Sequence, residues 1–108
     1  MAYYMCQVRY TREALKTLIS KPHDRTGVVR AAVEKLGGKL LGFWYAFGEY
    51  DAMLIFEMPD NATAAALPLA AAAGGAISTS HTTTLLTPTE AIAALKKASK
   101  SGYRPPGK

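Results

Sequence analysis

The sequence predicts an α+β domain built on a four-stranded antiparallel sheet with helices on one face, and three observations predict it. Strand-like and helix-like patterns follow one another in the order strand, helix, strand, strand, helix, strand, with one more helix at the end. The central pair of strands flanks Gly48-Glu49, the spacing of a hairpin. Both faces of that hairpin are apolar, so both have to be covered.

Residues 2–10 are rich in Tyr, Met and Val and end at Thr11, which marks a first strand. Thr11 can cap a helix that carries Ala14, Leu15, Leu18 and Ile19 on one face. Pro22 interrupts it, because proline lacks the amide and disfavours helix at the preceding residue. Asp24 is a second cap, and Val28, Val29, Ala32, Val33 and Leu36 repeat the helical stripe until Gly37-Gly38 stops it. Strands are expected over 39–47 and 50–58, with Gly48 supplying a positive φ at the turn. Pro59-Asp60-Asn61 opens an alanine-rich helix that Pro68 should kink or split and that Gly74-Gly75 ends. Residues 76–86, rich in threonine, form a fourth strand. Thr87-Pro88-Thr89-Glu90 is a capping box with proline at the first helical position, and the final helix should turn Ala91, Ile92, Leu95 and Ala98 inward.

With right-handed crossovers this order is the ferredoxin-like βαββαβ arrangement. Pairing the hairpin about Gly48-Glu49 puts Phe43, Tyr45, Phe47, Ala52, Leu54 and Phe56 on one face. Trp44, Ala46, Asp51, Met53 and Ile55 fall on the other. Helices cover one face only, so the second is expected to meet another subunit, sheet on sheet. The pattern leaves open which face meets the helices.

At 108 residues the chain has the size of one domain, expected over 1–100 with an extended tail over 101–108. It is 49% hydrophobic and 19% charged, a globular balance. The N-terminus runs straight into a strand pattern, and the alanine run falls short of the ~20 residues of a membrane span. The expectation is a cytoplasmic protein with no membrane partner. A net charge of +5 resides largely in Lys96, Lys97, Lys100, Arg104 and Lys108 with no nucleic-acid-binding motif, so no nucleic-acid partner is expected. The lone Cys6 reads as a small buried hydrophobe. Asn61-Ala62-Thr63 matches a glycosylation sequon by chance.

The run Phe47-Gly48-Glu49-Tyr50-Asp51, an apolar strand, and then Pro59-Asp60-Asn61 resembles the signature of the GYD family. Tyr3-Tyr4, Leu36-Gly37-Gly38-Lys39-Leu40, Ala73-Gly74-Gly75-Ala76 and Gly102-Tyr103-Arg104-Pro105-Pro106 extend the resemblance over almost the whole chain. It implies a small bacterial or archaeal protein of the dimeric α+β barrel superfamily, and no established catalytic residue comes with it. The hairpin is also similar to the turn in the ligand-sensing domain of leucine-responsive regulators. The helix-turn-helix that accompanies that domain is missing from this sequence.

Gly48, Tyr50 and Asp51 are expected to build the turn, with the Asp51 carboxylate accepting from turn amides. Asp51 beside Trp44 in a partly dry pocket could alternatively act as a general acid or base. His81, mid-strand among Ile77, Thr79 and Thr83, and His23, in the loop after Pro22, are the other candidate proton carriers. Trp44, Tyr45, Tyr3, Asp51 and His81 are candidate ligand-binding residues. No metal-ligand spacing, phosphate loop, dinucleotide fingerprint or nucleophile elbow is present, so neither metal nor cofactor is expected. Two functions remain open. One is an oligomeric binding or assembly module that holds a small apolar or aromatic molecule between sheet and helices, its tail lying across a neighbouring subunit. The other is a cofactor-free monooxygenase, isomerase or dehydratase that uses His81, His23 or Asp51.

Overall fold

Segments with a period of two become strands, and those with a helical stripe become helices. The computed structural model describes residues 1–107. Lys108, the end of the expected tail, lies outside them. The order is β1 (Ala2–Tyr10), α1 (Arg12–Ser20), α2 (Thr26–Lys35), β2 (Lys39–Tyr45), β3 (Ala52–Met58), α3 (Asn61–Ala73), β4 (Ile77–Leu85) and α4 (Pro88–Ser99). The strands form one antiparallel sheet ordered β2-β3-β1-β4, the ferredoxin-like topology.

Several helix boundaries are written locally. Thr11 caps α1 through the amide of Ala14, and Thr87 and Glu90 close the capping box of α4. Two helices end in Schellman motifs. The amides of Gly37 and Gly38 donate to the carbonyls of Glu34 and Val33, and those of Gly75 and Ala76 donate to Ala72 and Ala71. Gly37 and Gly75 take φ of 89° and 80°, the left-handed region where a Cβ is penalised. The α2 cap differs from expectation: Arg25 holds the cap position, and Asp24 accepts from the amide and hydroxyl of Thr26 one step earlier.

The register decides which hairpin face meets the helices. Tyr4, Cys6 and Val8 of β1 alternate inward with Ala52, Leu54, Phe56 and Met58 of β3. Together with Leu40, Val33, Ala64 and Ile77 they form the core. Phe43 and Tyr45 pair with Leu54 and Ala52 and so share that face, with their rings edge to face at 5.2 Å. Trp44, Met53 and Ile55 point to the opposite, open face. A register shift between Leu40 and Gly42 lets Leu40 and Phe43 both point inward, although strict alternation would separate them.

Further expectations are corrected. β2 ends at Tyr45 and β3 begins at Ala52, so Phe47 lies fully exposed in the turn instead of on the sheet. The turn closes through Ala46 N–H to the Asp51 carbonyl, 2.8 Å, and Gly48 does not adopt positive φ, because four intervening residues spread the reversal. Pro68 neither splits nor ends α3, which runs on through alanines of high helix propensity. Finally, α4 buries no residue, and Ile92 and Leu95 are 53% and 69% exposed. Only the two residues Leu86-Thr87 separate β4 from α4, as Pro59-Asp60 separate β3 from α3, yet α3 buries Ala64 whereas α4 buries nothing. The α1 and α2 stripes are also narrower than expected, with Leu15, Ile19, Val28 and Ala32 outside the core.

Candidate functional site

Asp51 sits where the hairpin meets β1. Its Oδ2 accepts from the backbone amide of Tyr10 at 2.9 Å, and its own amide donates to the Val8 carbonyl at 2.8 Å. The amide it satisfies thus belongs to the neighbouring strand, whereas the sequence suggested the turn's own amides. The turn is held from β1 as well: Arg9 Nε donates to the Glu49 carbonyl at 2.7 Å, and the guanidinium lies 5.5 Å from the centre of the Tyr50 ring. Gly48, Tyr50 and Asp51 therefore lie together at one end of the sheet, clasped to β1.

The candidate ligand-binding residues are dispersed. On the open face, Trp44, Met53, Gln7 and His81 form one row across the four strands. Strands lie about 4.8 Å apart, so Trp44 and His81 are separated by roughly 14 Å. Tyr3 lies two rows away, level with Leu85 and Glu57. The Trp44 ring lies over Gly42, where any Cβ would overlap the indole. Tyr45 is on the other side, its hydroxyl accepting from the Arg25 amide at 3.2 Å and reaching the His23 carbonyl at 3.5 Å. It ties the end of β2 to the α1–α2 loop.

Two cavities lie on the helix side. A groove of about 360 Å³ separates α3 from β4, lined by Ala64, Ala65, Pro68 and Leu69 against Ser80, Thr82 and Thr84. The Tyr4 hydroxyl, which donates to Asn61 Oδ1 at 2.6 Å, stands in its wall. A second cleft of about 260 Å³ brings His23 together with Tyr10, Glu13, Thr17 and Arg25. Burial pushes the Tyr10 phenol above its ordinary value, with Tyr45 and Asp51 adding to this and Arg25 opposing it. Burial likewise raises the Cys6 thiol, opposed by its hydrogen bond to Thr82, so it remains a protonated core residue.

Of the expected site residues, His23 alone lines either of these two cavities. Sequence reasoning missed Tyr10, Glu13 and Arg25, which come from two separate segments and meet only when the α1–α2 loop folds back. The alternating Ser80, Thr82 and Thr84 were legible as one strand face, but the α3 wall opposite them was not. Among the described residues no group of three or more His, Cys, Asp or Glu is placed to hold a metal ion. No helix among them is long and apolar enough to cross a membrane.

Comparison with the curated proteins gives no match. Among solved structures the chain is similar to an uncharacterised NIPSNAP domain protein from Burkholderia xenovorans, with 16% sequence identity and a TM-score of 0.43, covering 81% of this chain and 94% of that one. The family model of the GYD domain matches residues 4–95, which takes in the sheet apart from the first two residues of β1, α1 to α3 and the first two turns of α4. The chain belongs to the GYD domain family.

Proposed function

We propose that the chain works as a homo-oligomeric α+β barrel module in which two copies lay their open sheet faces together, and that the module holds a small apolar or aromatic molecule. One observation carries this reading. Tyr3, Met5, Trp44, Met53, Ile55 and Leu85 make a continuous apolar surface on the face opposite the core helices. Removing such side chains from water contributes about 25 cal/mol per Å² of apolar area, a driving force a monomer forgoes. The α4 helix adds support: a helix of 12 residues is marginal alone in water, and its exposed Ile92 and Leu95 are available to a neighbouring copy. For the ligand, the reading favours the α3–β4 groove, where apolar side chains face a row of hydroxyls.

A second reading, a cofactor-free acid–base enzyme, is favoured by the meeting of His23 with Tyr10, Glu13 and Arg25. Sedimentation velocity on the full chain and on Ile55→Asp tests the first. The unaltered chain should sediment as a dimer or larger ring, and the variant as a single folded chain with unchanged far-UV circular dichroism. An unaltered chain that stays monomeric at high micromolar concentration overturns the module.

A further inference from the structure

We propose that the cleft between α1, the α1–α2 loop and the α3–β4 turn is a binding site for a small carboxylic acid that also carries a hydroxyl group. Its walls come from the helix layer and the end of β1, so the site does not depend on how the open faces pair. At about 260 Å³ it is smaller than the ~300–1,000 Å³ typical of pockets for drug-sized ligands, so the occupant is compact.

The chemistry of the lining sets the class. Among the described residues the one ion pair is Arg9–Glu49, which leaves the Arg25 guanidinium without a carboxylate partner among them. A guanidinium presents a planar fork of donors that matches a carboxylate. The Tyr10 phenol stands in the same cleft, and because it stays protonated it is a second donor. His23 supplies the complementary function. Its Nδ1 lies 2.8 Å from the Lys21 carbonyl, and since a carbonyl only accepts, Nδ1 is the donor there; in the tautomer this contact selects, Nε2 is the acceptor. Glu13 is another acceptor on the α1 wall. A ligand with two negative charges would meet Glu13 unfavourably, whereas one carboxylate plus a hydroxyl donor satisfies both sides. Ala14, Leu18 and Ala76 supply an apolar surface for its body.

The test uses amide chemical-shift titration of the full chain with lactate, the three monohydroxybenzoates, benzoate and benzamide. At least one hydroxy acid should bind saturably, with shifts centred on residues 10–25 and 74–76. Benzoate should bind more weakly and benzamide more weakly still. Arg25→Gln should weaken the acids about tenfold, the scale of one charge-assisted bond, and Arg25→Lys should recover part of the loss. The Arg25 bond to Tyr45 uses the backbone, so both variants keep the loop tie. His23→Phe should abolish the preference for the hydroxy acid and leave benzoate unchanged. No saturable shift at millimolar acid, shifts confined to the α3–β4 groove or the open face, or equal binding by Arg25→Gln each overturn the site. A monomeric chain that still binds would separate this result from failure of the pairing reading.

Discussion

Two glycines with similar claims in the sequence have opposite roles in the structure. Gly38 packs so closely on β3 that a Cβ would overlap the Glu57 carbonyl and the Met58 sulfur. Gly48, within the hairpin motif, has negative or extended φ and open space where a Cβ would go. Gly38→Ala should therefore cost roughly 1–3 kcal/mol in urea unfolding, as overpacking against backbone does. Gly48→Ala should be neutral or stabilise by up to about 1 kcal/mol, since it lowers the entropy of the unfolded chain. Asp51→Ala should cost about 1–3 kcal/mol, because it leaves the Tyr10 amide without its acceptor. Asp51→Asn should retain most of that stability, which would separate a hydrogen-bonding role from one that needs the negative charge. That Asp51 stands at a turn, where its carboxylate can accept from a backbone amide, was legible in the sequence. Its partner was not, because a sequence does not show which neighbouring strand brings an amide within reach.

At the scale of elements, caps make local structure sensitive to pH. The Glu90 carboxyl is held below its usual value by the backbone amide of Thr87 and then by the Thr87 hydroxyl. Asp60 is lowered in the same way by the amide and hydroxyl of Thr63. A depressed folded value means that the contribution is complete above the unfolded carboxylate range and is lost as pH falls through the folded value. The first turns of α3 and α4 should thus lose helical Cα shifts under acid, and Glu90→Gln should remove most of that dependence from α4 alone. Helix starts and stops other than the start of α2 were legible because caps are written within four or five consecutive residues. The bulge at Leu41 was not, since it depends on pairing with β3, and it is what lets Leu40 and Phe43 share the core face.

The whole molecule is longer than its sequence suggests. Its radius of gyration is 17.4 Å and its extents are 59 × 33 × 22 Å, against roughly 13 Å for a compact domain of this length. The excess fits an α4 that leaves the sheet and buries nothing. Small-angle scattering of the monomeric Ile55→Asp chain should give a radius close to that of the extended chain, and a value near 13 Å would mean that α4 folds back. Pattern and spacing by themselves determined the element order, the antiparallel sheet, the capping residues of α1, α3 and α4 and the presence of two apolar hairpin faces, because each depends on neighbours in sequence or on a period of two or 3.6. Only the tertiary structure decided which face meets the helices, that α4 stands clear of the core, and that Tyr10, Glu13, His23 and Arg25 share a cleft. Those outcomes depend on strand register and chain direction, which bring together residues that the sequence keeps apart.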